Sequence, residues 1–197
     1  MGSVVTATKP IAITVADDLL DGAVYGGCAD LGGDQIVPVN ILGTEYIAIN
    51  GFLNPPYDQV FVLGTQNGTT LNQNGAFAAT LNAGQTVQLP VGTTATYLTA
   101  SAPVSVLQLS GYGCEVGIDI LPPIVCTGSF DIAVTRSTNE SLFINLLTKA
   151  GSQGGFLVNG AAGVITAASF APVPGTAGQW VYASLPFSAA TYPVGST

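Results

Sequence analysis

Four Asn-Gly pairs, at 50–51, 67–68, 74–75 and 159–160, punctuate the chain, and such pairs supply the positive φ that two-residue β-hairpin turns require. Between the turn signals lie short runs rich in Val, Ile, Thr, Tyr and Phe. They fall at 11–15, 45–49, 59–64, 85–89, 96–99, 104–109, 130–135, 141–147, 155–158 and 179–183, bounded by Gly, Pro and Asn. That pattern reads as strands. Helical 3.6-residue periodicity is nearly absent, so an all-β chain with antiparallel neighbours is expected. The 25 Gly and 12 Pro among 197 residues follow no G-X-Y period, which excludes collagen and favours a turn-rich fold.

An internal duplication organises these runs. TATKPIAITV, reaching Pro10, reads like TASAPVSVLQ, reaching Pro103, and Gly27-Cys28 matches Gly113-Cys114. GTEYIAI then matches TGSFDIAV, Val60-Phe61-Val62 matches Leu142-Phe143-Ile144, and Asn74-Gly75 matches Asn159-Gly160. AGQTVQL and Ala95-Thr96-Tyr97 match AGQWVYA and Ala190-Thr191-Tyr192 in the same order. Two homologous units are expected, at 10–102 and 103–197, with residues 1–9 as a chain start plus the last strand of a preceding unit. About seven strands in each suit tandem antiparallel β-sandwich-like units. The alternative is β-propeller blades.

Charge removes whole classes of function. Eleven acids face three cations, Lys9, Arg136 and Lys149, for a net −8, too few cations for a phosphate-binding face. Nucleic acid is therefore excluded as a partner. The chain contains no His, which removes Ser-His-Asp and Cys-His nucleophiles and His-containing zinc sites. Mean hydropathy is +0.51, yet no apolar run approaches the eighteen or so residues of a membrane-spanning helix. Neither membrane insertion nor catalysis is expected. The carboxylate pairs Asp17 with Glu45 and Glu115 with Asp119 are the candidates for glycoside hydrolysis, and the sequence fixes no separation for either.

Other residues could carry binding chemistry. Asp17, Asp18, Asp21, Asp30 and Asp34 crowd one Gly-rich segment; as a solvated loop its acids would cap turns, and as a site it would offer oxygen ligands to Ca²⁺. Their spacing matches no EF-hand, and no motif requires any other cofactor. Tyr25, Phe52, Tyr57, Tyr112 and Trp180 are candidate ligand-stacking aromatics, with Trp180 better suited to filling the core of the second unit. The three cysteines allow three single pairings; Cys114 and Cys126 bracket eleven residues, and Cys28 has no local partner.

The succession KPIAITVADDLL, GCADLGGDQIVPV, GTEYIAI, LNAGQTVQL, ASAPVSVLQLSGYGCEVG, LPPIVCTGS, FLVNG and FAPVPGTAGQW resembles the IgG-Fc-binding-protein type of extracellular domain. That family includes large bacterial surface and secreted proteins as well as a mucus protein. The resemblance spans nearly the whole chain. It implies a Cys114–Cys126 disulfide, an extracellular or cell-surface location and a non-catalytic adhesion role, with a host protein, mucin or glycan as ligand. It does not imply immunoglobulin binding. A structural spacer, in which stacked β units of one parent chain contact each other, is the alternative; a carbohydrate-active accessory module is a weaker third.

Overall fold

The computed structural model describes residues 3–126, 128–134 and 142–187, with the side chains of 21, 22, 142 and 187 left aside. Strands account for its regular structure apart from four short 3-10 turns, and the described residues contain no α-helix. The all-β expectation holds. The tandem-sandwich architecture is not what organises the chain: it divides into compact units at Met1–Thr127 and Gly128–Thr197.

Unit 1 opens with a two-stranded ribbon, β1 (Thr14–Gly22) against β2 (Cys28–Gln35). An eight-stranded sheet follows, made of β3 (Gly43–Ile49), β4 (Phe52–Leu53), β5 (Gln59–Gly64), β6 (Thr69–Gln73), β7 (Ala76–Leu81), β8 (Thr86–Pro90), β9 (Ala95–Gly113) and β10 (Glu115–Leu121). The nineteen-residue β9 is its spine. Its first part pairs with β3 and β6, and its second part with β5 and β10. Between the two parts stands Pro103, which has no N–H to give to a ladder and leaves a register shift opposite β3. The two halves close over one core: Tyr46 and Ala48 of β3, Val60 and Val62 of β5, Leu71, Leu81, Leu98, Val104 and Val106. Alternation explains the selection, since Val60 and Val62 on one face of β5 are fully buried and Phe61 and Leu63 on the other are half-buried.

The boundary expected at 102/103 therefore falls inside β9, where one continuous strand is paired on both sides of Pro103. The segment read as an acidic loop is likewise the ribbon β1–β2. The runs read at 96–99 and 104–109 are one strand. Residues 130–134 carry no strand, although they were expected to, and Phe130 and Ile132 are exposed.

Unit 2 is smaller. β11 (Leu142–Lys149) pairs antiparallel with β15 (Trp180–Phe187), and β14 (Ala171–Pro172) adds to the other edge of β15. Between β11 and β15 stands a hairpin, β12 (Leu157–Val158) and β13 (Ala161–Ala162). Its turn, Asn159-Gly160, has φ of 51° and 77°, and the β6–β7 turn at Asn74-Gly75 has 52° and 84°. Both are the left-handed pairs that two-residue hairpins need. In each unit a strand, an Asn-Gly hairpin and a returning strand follow in that order, β5 to β8 and β11 to β15.

A candidate binding site at the disulfide-clipped end of unit 1

One end of the unit 1 sheet is held by four local devices. The β9–β10 hairpin turns within two residues, with Gly113 at φ 62°, and so presents Cys114 at its tip. Cys28, at the start of β2, lies across from it with a Cα–Cα distance of 5.3 Å, and the two form a disulfide. β4 runs parallel to the end of β9, Phe52 opposite Tyr112 and Leu53 opposite Gly113. The Asn54 N–H then donates to the Gly113 carbonyl at 2.8 Å, and Asn54 Nδ2 donates to the Tyr25 carbonyl at 2.9 Å.

The expected Cys114–Cys126 bridge is thus replaced by Cys28–Cys114. The reason is geometric: β10 separates Cys114 from Cys126, and its extended residues span about 20 Å, whereas a disulfide needs Cα atoms within about 7 Å. Cys126 is an exposed free thiol beside the Ile41 carbonyl. The partners that do meet are the two cysteines in equivalent positions of the sequence duplication.

Four of the five candidate aromatics converge here. Phe52 and Tyr112 form a tilted pair with ring centroids 6.2 Å apart, 37% and 58% exposed. Tyr57 is half-buried and sits at φ 67°, a left-handed conformation costly for a side chain with a Cβ. Its carbonyl is held there by the Tyr25 hydroxyl at 3.0 Å and Gln59 Nε2 at 3.1 Å. Tyr25 itself is buried with Leu53 and Val116 in a small second core, so it supports the surface rather than forming it. Burial, and after it the nearby Asp58, raises the Tyr25 hydroxyl above its ordinary pKa. Trp180 lies in unit 2, on β15, where Lys149 Nζ stands 5.9 Å from the ring centroid.

Beneath the aromatics is a polar hub whose trace in the sequence is one acid abutting an apolar strand, PPYDQVFVL. Asp58 and Gln108 are buried. Gln108 Nε2 donates both to Asp58 Oδ2 at 2.9 Å and to the Ile49 carbonyl at 2.8 Å, and the Gly51 N–H donates to Asp58 Oδ2 at 2.8 Å. A Cβ on Gly51 would collide with Ser110 Oγ, so the turn carrying Phe52 can approach β9 only with glycine there. The hub fixes the β3–β4 turn.

The acidic candidates go elsewhere. Asp30 Oδ2 accepts from the Val116 N–H and Asp34 Oδ2 from the Ile120 N–H, each at 2.6 Å. Asp17 Oδ1 accepts from the Leu19 N–H at 3.0 Å, and Asp18 is exposed. In the ribbon register Asp17 stands opposite Gly32, Asp30 opposite Leu20 and Asp34 opposite Val15, so these acids are spread along the ribbon rather than gathered; the side chain of Asp21 lies outside the described residues. Among the described residues the group of metal-ligating types that does gather is Cys28, Cys114 and Glu115, whose two sulfurs are spent in the disulfide. Glu115 and Asp119 share one strand four residues apart, about 13 Å, beyond the separation of glycosidase carboxylates. Glu45 Oε2 accepts from the Tyr97 hydroxyl.

Among the described residues no helix is long and apolar enough to cross a membrane. In comparison with known families, a family model described as IgGFc binding protein matches residues 1–195. No curated protein and no solved structure matches the chain.

Proposed function

Since the chain belongs to the IgGFc binding protein family, whose domains are extracellular binding modules, we propose that it is a non-catalytic adhesion module recognising a host protein, mucin or glycan through the clipped end of unit 1. The observation that carries this reading is the exposed Phe52–Tyr112 pair on a backbone fixed by a disulfide, a parallel strand pair and a buried hub. Flat apolar rings with polar edges suit both sugar faces and protein contacts, and a surface held rigid before contact loses little ordering entropy on binding. The disulfide fits the oxidising surroundings of a secreted or surface protein.

The test is a screen of the immobilised chain against IgG Fc, mucins and a glycan array, with Phe52→Ala and Tyr112→Ala in parallel. Saturable binding to one class, weakened at least tenfold by either substitution but not by Trp180→Ala, is the expected result. Binding indifferent to both rings would move the site elsewhere. Repeating the screen with a chelator tests calcium. The spacer reading draws on the strand–hairpin–strand order present in both units, and silence across all three ligand classes would favour it.

A further inference from the structure

Asp58 is fully buried, and its two carboxyl oxygens are treated differently. Oδ2 takes the Gly51 N–H and Gln108 Nε2, and the Ser110 hydroxyl also bonds this carboxyl. Oδ1 is buried with no hydrogen-bond partner, and so is Asn50 Oδ1 on the residue preceding Gly51. As a carboxylate, Asp58 would set an anion with one bare oxygen in the interior, and such a group is costly. Within unit 1 the one Lys or Arg is Lys9, in the exposed N-terminal segment.

A carboxylic acid resolves the arrangement. Oδ2 remains the acceptor for the Gly51 N–H and Gln108 Nε2, and a proton on Oδ1 removes the buried anion whose second oxygen has no donor. We propose that Asp58 is carried in the folded unit as the neutral acid, protonated on Oδ1, and that its ionisation unlatches the β3–β4 turn from β9. That turn holds Phe52. Burial, the leading influence on this carboxyl, pushes it above the ordinary aspartate range, against the hydrogen bonds that lower it. The titratable group recorded as facing it from a neighbouring element is Tyr25, on the 3-10 turn at Ala23–Tyr25; β9 contributes uncharged Gln108 and Ser110, and the β3–β4 turn uncharged Asn50.

The sign follows from linkage. A folded value above the unfolded one gives stability that is full below the ordinary aspartate range and is lost as pH rises through the folded value. Where the aromatic end is the contact surface, as proposed above, it is therefore firmest in acid.

Asp58→Asn tests this on the whole chain, because an amide presents an acceptor at one end and a donor at the other at any pH. Urea midpoints of the wild type and the variant are compared from about pH 4 to about pH 8, with the Asp58 carboxyl carbon followed by NMR in the wild type. The expected result is a wild-type midpoint that falls with rising pH relative to the variant, and a carboxyl signal that stays in its acid form above the ordinary aspartate range. A midpoint difference constant across the range, or a carboxyl that titrates at the ordinary aspartate value, overturns the proposal. The wild-type NMR signal decides the matter even if the variant fails to fold. Neither readout uses a ligand, so a failed binding screen leaves this inference standing, and a flat pH profile leaves the binding reading standing.

Discussion

Tyr46 is the largest fully buried side chain of the core, and its hydroxyl is used twice: it donates to the Val104 carbonyl and accepts from the Gly43 N–H. Tyr46→Phe strips both partners without opening a cavity and is expected to cost about 1–3 kcal/mol, read from the urea midpoint. Tyr97, on the opposite face, donates to Glu45 Oε2 at 3.0 Å. Burial first, then Glu45, pushes its phenol up to about 12. Tyr25 and Tyr46 are also raised by burial, so the check is a difference: an ultraviolet titration of Glu45→Gln should show one tyrosine ionising earlier than in the wild type. At this scale the sequence was only partly legible. Tyr25, Phe52, Tyr57 and Tyr112 stood out because aromatics in Gly-rich turns have no core to fill locally. Asp58 did not, because what makes it unusual is three donors brought from β9 and the β3–β4 turn, none near it in a readable pattern. Cys28 pairs with a residue 86 positions away, a distance over which spacing says nothing.

The elements were legible where side chains alternate and illegible where acids intervene. β5 was read with its bounds as they stand, since its two faces differ in burial. β1 and β2 look like a loop in the sequence because DDLLDG and ADLGGD suit solvent; in the structure Asp30 and Asp34 act as acceptors for N–H groups of β10, a covered edge in place of a sticky one. Those acids meet others. Glu115 is raised by its hydrogen bond and charge contact with Asp30, and Asp119 by burial and then by Asp34. Folded values above the unfolded ones mean that the ribbon's hold is full in acid and weakens as pH rises through them. The double variant Asp30→Asn, Asp34→Asn keeps an acceptor for each N–H and drops both charges. Amide protection along β10 and the ribbon, measured against intrinsic exchange and falling with rising pH in the wild type, should fall less in the variant, with burial of Asp119 leaving a residual dependence. The Asn-Gly pairs divide the same way: 74–75 and 159–160 make the expected hairpin turns, whereas Asn50-Gly51 has no positive φ and is glycine because Ser110 leaves no room.

At the scale of the whole molecule the charge is lopsided. Residues 1–127 hold nine acids and Lys9, a net −8, whereas residues 128–197 hold Asp131 and Glu140 against Arg136 and Lys149, a net zero. Like charges spread over one unit repel, and salt screens them within about 8–10 Å at moderate ionic strength. Added sodium chloride should therefore raise the melting temperature of unit 1 and leave unit 2 almost unmoved, as two-transition calorimetry would show. The same unit carries the Cys28–Cys114 link, which in the chain-entropy account is worth about 4–5 kcal/mol for a loop of this length. Its position has a mechanical meaning. Tension applied to the two ends of the polypeptide passes from residue 28 directly to residue 114, so the body from β3 to β9 is outside the load path. A stretched molecule keeps about 300 Å of chain in reserve, released only when a reductant opens that one bond, and pulling traces with and without reductant should differ by that step.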